Sequence, residues 1–481
     1  MASPSAIPHA DDPADLGVLE AAALLRSRRL SAAELLAACQ RRIEARNGGP
    51  PSFDGAPDAV NAWVRLYPDV AAELARAADE RLSRERADAP LLCGIPLALK
   101  DLYAVKGLPL TASSRVLDGR VADADSTAWR RLRECGVVLV GHTHTHEFAA
   151  GGTTDQVGNP WATHHSAGGS SGGSAAALAA GMVPAALGTD TLGSLRIPSA
   201  LCGTSAIKPT HGRVPIDGIV PLAPTLDHSG PMARRVADCS ALLAALAAGG
   251  PQVSPLLPPP APLEGLPLEA RPGPRPLEGL TVALTDRPAR QPLDSDVAEG
   301  LESARSGCER LGARVLELPA PAELPDSEMT SILLADMWVL HSEHADRVER
   351  YRPSIRELVE AAESATDVAA YIRAQQRRAE FTVQWEEWLA RHEVDFVLEP
   401  TVPIVAPVRG AGYERGHAGG EGDPLITLTA TWDLTGFPVA ALPSGIGKRS
   451  SLPVGVSLIG ARGGEVPLVQ AAIDLQEHEL G

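Results

Sequence analysis

The sequence predicts an α/β fold: one large, mixed, twisted β-sheet covered by α-helices on both faces. Three observations carry the expectation. Residues 95–99 (IPLAL) and 137–140 (VVLV) are short, fully apolar runs of the kind buried in interior strands, and a helical stretch, 126–134, separates them. Comparable runs return at 280–284, 396–398, 438–442 and 454–459, near the other end of the chain. Long helical patterns at 327–352 and 366–392 fill the space between, so strands from both ends are expected to share one sheet.

In chain order, Ser31 and Glu34 form a capping box, each side chain satisfying the other's exposed backbone amide. Leu35, Leu36, Cys39 and Ile43 follow at helical spacing. Asn47-Gly48 closes this helix, completing an N-terminal helical segment, 13–48. The 95–99 run ends abruptly in Lys100-Asp101, the pattern of a buried strand that delivers charged groups at its tip. Gly136 stops the 126–134 helix. From 151 to 212 the texture turns to Gly, Ser and Thr, with one helix of small residues at 174–180. Ten prolines fall between 251 and 276, too many for a packed element, so this stretch reads as an extended surface crossover. The chain, 1–481, is therefore expected to be one domain, with a core at 90–245 and a C-terminal α/β part at 277–481.

At 44% apolar and 21% charged residues, 481 residues can bury a sizeable core. No run of about 18 uncharged apolar residues occurs, and the N-terminus has no basic stretch leading into an apolar one. Neither a membrane span nor a signal peptide is expected, which makes the cytoplasm the default. The net charge of −17 repels phosphate backbones and anionic lipid, disfavouring nucleic acid and membranes as partners. Six cysteines with no CxxC pair fit reduced core thiols better than disulfides or a zinc site.

The most unusual segment is Gly168-Gly-Ser170-Ser171-Gly-Gly-Ser174. Such runs are commonly flexible linkers, but this one feeds directly into a helix of alanines, and its glycines let a helix N-terminus approach a ligand closely. A Walker loop needs Lys-Ser/Thr after the last glycine, and Ser174-Ala175 stand there instead. The GxSxG nucleophile elbow also matches 168–172, yet an elbow follows a buried strand and residues 161–167 are polar. A second serine lies in a tight turn, Gly188-Thr-Asp190-Thr-Leu-Gly193-Ser194-Leu-Arg196-Ile-Pro198, after the apolar run 183–187.

Two serines and a lysine at a strand end are the arrangement of the amidase signature family, which this chain resembles. Gly94-Ile-Pro-Leu-Ala-Leu-Lys100-Asp101 is similar to the family's lysine strand, and 188–196 to its GTDxxGSxR motif. Further matches run through Cys202-Gly203, Lys208-Pro-Thr210, Gly212-Arg-Val-Pro215, Leu226-Asp227, Gly230-Pro231-Met232, Glu399-Pro-Thr401, Leu434-Thr-Gly-Phe-Pro438 and Leu452-Pro-Val-Gly455. The resemblance covers the chain from about Leu16 to its end and implies the amidase signature fold.

It implies that Ser194 is the acyl-accepting nucleophile, Ser170 a bridging serine on a cis peptide bond, and Lys100 the base. A serine hydroxyl needs such a base within hydrogen-bond reach, and Ser–Lys arrangements are one known form. Lysine serves only when neutral, so its pKa of about 10.4 must fall by several units, which burial at the end of an apolar strand can supply. Backbone amides of Thr191, Leu192, Gly193 and Ser194 are expected to stabilise the oxyanion, with Ser171, Asp190 and Arg196 in support. Where the family commonly has glycine before Gly193, this chain has Leu192, whose side chain is expected near the acyl pocket. Phe148, Thr154 and Trp432 are further candidates for that pocket.

His142, His144 and His146 alternate, as three imidazoles on one strand face would, but they bring no acidic or Cys partner, so no metal site is expected. His164-His165 read as loop or pocket-edge residues. The expected function is therefore cofactor-free hydrolysis of a carbon–nitrogen bond in a small amide-type substrate, be it amide, anilide, carbamate (a urethanase) or urea, through an acyl-enzyme. Homo-oligomerisation is left open. The alternatives are the glutaminase (A-type) subunit of a tRNA-dependent amidotransferase and a catalytically inactive binding protein. By resemblance, the A-type subunit usually has glutamine after Ser-x-Arg, where Ile197 stands here; intact Lys100, Ser170 and Ser194 argue against the second.

Overall fold

In a computed structural model of the chain, residues 12–249, 260–365, 367–410 and 423–480 are described. The N-terminal part opens with α1 (Val18–Arg26) and α2 (Ala32–Arg46). Ser31 and Glu34 cap α2 reciprocally, the serine Oγ accepting from Glu34 N and the carboxylate from Ser31 N. There follow β1 (Trp63–Leu66), α3 (Pro68–Glu85), β2 (Pro96–Lys100), α4 (Thr127–Glu134) and β3 (Val138–Thr143). Ser126 caps α4, and Gly136, at φ +81°, turns the chain into β3.

Next come β4 (Gly158–Asn159) and β5 (Ala162–Ser166), a small antiparallel pair of their own. The polar run 161–167 is thus partly a strand, but a half-buried one on which His164 is exposed. His164 and His165 sit on it, not on a loop. The signature region continues with α5 (Gly172–Ala179), β6 (Ala185–Asp190), α6 (Arg196–Cys202), β7 (Ser205–Lys208), β8 (His228–Ala233) and α7 (Val236–Ala247). The described part of the Pro-rich stretch, 260–276, contains neither helix nor strand; residues 251–259 lie outside the described ones.

The C-terminal part comprises β9 (Thr281–Thr285), α8 (Ser295–Arg310), β10 (Arg314–Leu318), α9 (Asp326–His341), α10 (Pro353–Ser364), α11 (Val368–His392) and β11 (Phe396–Pro400). It ends with α12 (Ala430–Leu434), β12 (Val439–Ile446), β13 (Pro453–Gly460) and α13 (Glu465–Leu475). The helix expected over 327–352 ends at His341, gives way to 3₁₀ turns over Ser342–Arg350, and a new helix starts at Pro353. Proline explains the restart: it fits the first turn of a helix, while its ring drives the preceding residue, Arg352, into an extended conformation at ψ 149°.

Eleven strands form one sheet in the order β1-β3-β2-β6-β8-β7-β12-β13-β11-β9-β10. It is mixed: β2 runs parallel to β3 and β6, and β9 to β10 and β11, while the central pairs from β6 to β13 are antiparallel. The antiparallel pairing of β7 with β12, Ile207 opposite Ala440, joins the two parts of the chain. Alternation sorts side chains to two faces. On β11 to β13, Leu398, Ala440 and Leu458 enter the apolar cluster under α7 and α13, while Val397, Val439 and Ile459 enter the one under α9 to α12. Among the described residues no helix is long and apolar enough to cross a membrane.

Candidate active site

Lys100 is the last residue of β2, which is buried along its length between β3 and β6. The parallel neighbour β6 ends close by, with Leu99 opposite Leu187, and so brings Thr189 and Asp190 to the same end of the sheet. Lys100 Nζ touches three hydroxyls: Ser170 Oγ at 2.7 Å, Ser171 Oγ at 2.9 Å and Thr189 Oγ1 at 2.8 Å. The side chain is fully sealed from solvent. Burial pulls its pKa down to about 7, outweighing the opposing pull of Asp190 and Asp227.

Three hydroxyl partners match the three N–H donors of the ammonium form, and loss of a proton reverses one of these contacts. A neutral lysine has two N–H donors and one lone pair, so one of the three hydroxyls must donate to it. The Ser171 hydroxyl donates to Thr189 O at 3.2 Å and is left to accept from Lys100.

The Gly-rich run positions both serines. The Gly169–Ser170 peptide is cis. A Cβ on Gly169 would overlap Thr153 O, so only glycine fits there. Thr154 Oγ1 donates to Ser170 O and accepts from Gly172 N, so Thr154 braces the run from behind and does not face a substrate cavity. Ser171 N donates to Ser194 O at 3.3 Å, which brings the run against the second serine turn.

That turn links β6 to α6. Ser194 follows Gly193, whose φ of +134° lies in the glycine-favouring region. Asp190 accepts from Gly193 N, from Leu195 N at 3.1 Å and from Arg196 Nε at 2.8 Å. Burial alone would raise the Asp190 carboxyl, but the Arg196 guanidinium overrides it and holds the group down, at about 2. Arg196, equally buried, also donates to Thr429 O and to Asp433 on α12. The Gly193 amide therefore serves Asp190 here. This corrects its place in the expected oxyanion set and leaves Thr191, Leu192 and Ser194.

A cavity of about 30 Å³ opens in front of Ser194. Its walls are Leu192, Ile197, Leu222, Leu333, Leu358 and Ile426, over a floor of Ala149, Ala150, Gly151 and Gly152. Phe148 and Trp432 do not line this cavity. Phe148 packs behind the floor against His341 and Tyr351, and Trp432 is locked between Trp385 and Phe437, with its Nε1 donating to Glu399. Aromatic residues near a motif often fill core instead of a pocket wall. A larger cleft, about 900 Å³, between α11 and the starts of β9 and β10, contains none of these residues. Chemistry, not size, locates the site.

The alternating histidines do not share a face, because β3 ends at Thr143. His142 pairs with Tyr67 Oη and Tyr103 O, His144 with Ser52 O, and His146 with Thr153 O. Among the described residues no group of three His, Cys, Asp or Glu side chains could hold a metal ion.

The family model described as Amidase matches residues 52–469. The chain belongs to the amidase signature family. It is 35% identical to the A-type subunit of a glutamyl-tRNA(Gln) amidotransferase from Anaeromyxobacter sp. (strain K), over 97% of this chain and 96% of that protein. A crystal structure of an amidase superposes with a TM-score of 0.81 at 29% identity, covering 97% of this chain and 100% of the other. The corresponding amidotransferase subunit from Thermotoga maritima gives 0.76 at 26%, covering 98% and 96%.

These names overturn one expectation. A small-molecule substrate alone is not an adequate account of partners, because relatives matched over nearly their whole length are each named as one subunit of an enzyme, which points to protein partners. Net charge bore only on nucleic acid and membranes; it averages over the whole surface and does not describe a face that meets another protein.

Proposed function

We propose that this amidase family member is the amide-cleaving, A-type subunit of an assembly with other protein chains. The family membership supports amide chemistry, and the amidotransferase relatives support the assembly. The observation that carries the chemical part is the 2.7 Å contact between Lys100 Nζ and Ser170 Oγ, both of them buried.

In the proposed reaction, Ser194 Oγ attacks the amide carbon as its proton passes to Ser170 Oγ and the Ser170 proton to Lys100 Nζ. The carbonyl oxygen becomes an oxyanion facing the backbone amides of Thr191, Leu192 and Ser194. Collapse breaks the C–N bond, and the departing nitrogen takes a proton back along the relay from Lys100. Water then attacks the Ser194 ester with the same groups acting in reverse order, releasing the acid and restoring the hydroxyl. Each proton lost in attack is returned on release, so no cofactor enters the balance.

The test is the protein purified from its native cells with its bound chains, examined by native mass spectrometry and by ammonia release from primary amides. A stoichiometric multichain species that releases ammonia is expected, with Ser194→Ala keeping the assembly and losing the release. A fully active single chain sinks the subunit role, and ammonia release by Ser194→Ala sinks the chemistry.

A further inference from the structure

A second lysine, Lys208, is buried at the same end of the sheet as Lys100. Strands β6 and β7 run in one direction with antiparallel β8 between them. The end of β6 at Asp190, the start of β8 at His228 and the end of β7 at Lys208 therefore lie side by side. All three side chains are buried, and the proton relay from Ser194 to Lys100 runs through none of them.

The His228 ring reaches from Lys208 to the serine turn. Its Nε2 is 3.1 Å from Lys208 Nζ, and its Nδ1 is 3.2 Å from Asp190 O and 3.4 Å from Asp433 Oδ1. Lys208 Nζ also donates to Phe437 O at 2.7 Å and to Pro209 O at 3.4 Å. Burial, with Lys208, His211 and Arg196 close by, holds the His228 pKa well below its ordinary value, so the ring is neutral and carries one N–H.

The contacts decide which nitrogen carries it. Nε2 faces an amine that always has hydrogens to give, whereas Nδ1 faces a carbonyl that can only accept. A bare Nδ1 would set its lone pair against Asp190 O, so the hydrogen belongs on Nδ1. His211 packs edge-on against the ring, centroids 5.1 Å apart at 83°, and steadies its plane.

The carbonyl that accepts from Nδ1 belongs to the same peptide group as Thr191 N–H. A peptide is planar, so a hydrogen bond held at its oxygen also fixes where the N–H at its other end points. It polarises that N–H as well, strengthening it as a donor by roughly 10–30%. Thr191 lines the cavity in front of Ser194, and among the described residues its N–H has no hydrogen-bond partner. Asp190 is thus gripped twice: its carboxylate by Gly193 N, Leu195 N and Arg196, its carbonyl by His228.

We propose that His228 is a positioning residue for oxyanion stabilisation, donating from Nδ1 to Asp190 O and so aiming and polarising Thr191 N–H, while Lys208 holds the ring by its other nitrogen. The proposal rests on the reading that Ser194 is the acyl-accepting nucleophile and that the Thr191 amide faces the oxyanion.

The experiment compares His228→Asn with His228→Gln in the protein purified with its bound chains. The asparagine nitrogen can take the place of Nδ1 and keep the bond to Asp190 O, whereas the glutamine nitrogen takes the place of Nε2 and loses it. The rate of fluorophosphonate labelling of Ser194, kcat and KM for ammonia release from glutamine, and the denaturation midpoint are measured for each. In His228→Gln, labelling and kcat are expected to fall about 5–10-fold with KM unchanged, as for one neutral hydrogen bond made in the transition state. His228→Asn is expected to stay within about twofold of the wild type, although both variants lose the ring and its packing. Equal slowing of the two folded variants, or slowing that follows their midpoints, shows a merely structural role and overturns the proposal alone. Neutron diffraction on the wild type covers the case in which neither variant folds: deuterium on Nδ1 is expected, and deuterium on Nε2 overturns the proposal. A wild type that neither labels at Ser194 nor releases ammonia overturns the nucleophile reading beneath it.

Discussion

Lys100 Nζ lies 2.7 Å from Ser170 Oγ, with both groups sealed from water and no carboxylate of the described residues hydrogen-bonded to the amine. The first prediction comes from this pair. A base held at about 7 by burial is protonated, and silent, in acid. With chemistry rate-limiting, kcat/KM should climb about tenfold per pH unit below about 7 and level off above it. A rate that is flat from about pH 6 to about pH 9 counts against a lysine base.

Ser194→Ala should lose fluorophosphonate labelling and about 10⁴-fold or more in turnover. A covalent adduct that persists on the variant, located by peptide mapping, removes Ser194 from the role.

Lys100→Ala should be soluble and inactive between pH 6 and 9. Near-normal turnover would overturn the relay, and activity restored by added small primary amines would support it.

Arg196 is ion-paired with buried Asp190 and donates to Asp433, whose carboxyl burial pushes well above the usual range. Arg196→Met leaves buried Asp190 without its ion-pair partner, with Lys208 the remaining cation acting on it, a change worth about 3–5 kcal/mol. Denaturant titration measures it, and a loss under about 1 kcal/mol would show that the carboxylate simply takes up a proton.

Gly193→Ala and Gly107→Ala form a matched pair. Both residues have positive φ, but a Cβ on Gly193 meets Thr429 and Ile197 whereas one on Gly107 meets nothing within 4 Å. Gly107→Ala should cost about 1 kcal/mol for its backbone alone, and Gly193→Ala about 1–3 kcal/mol more, with a fall in kcat. Equal effects on stability and none on kcat would separate the serine turn from catalysis.

That Lys100, Ser170 and the Ser194 turn with Leu192 come together was legible because each lies in a short motif resembling the amidase signature family's. Thr189, the third hydroxyl on Lys100, was in view inside the 188–196 motif, but only the register of β2 against β6 brings it to the amine. Leu333 and Leu358 gave no signal at all, since a leucine on a helix face reads as core until the fold shows a cavity beside it. The glycine-lined floor and the Arg196–Asp433 contact were hidden for the same reason: they depend on chain segments far apart in sequence. Strands β2, β3, β9, β11, β12 and β13 were readable from apolar runs, whereas β1, β7, β8 and β10 were not. The expected helix stops at Arg352, before Pro353, but its actual end at His341 and the separate helix α10 were missed, since the 3₁₀ stretch Ser342–Arg350 carries no glycine or proline to mark it.

The pairing of β7 with β12 has a consequence for synthesis. A nascent chain that has emerged only as far as α11 already holds β1 to β10 but still lacks β11, β12 and β13, which fill the gap between β7 and β9. Until residues 439–446 arrive, β7 presents an open row of backbone donors and acceptors in the middle of the future sheet, an adhesive edge on an unfinished protein. The two halves therefore cannot ripen independently on the ribosome, and the last-made strands act as the keystone that shields the first-made ones from their neighbours.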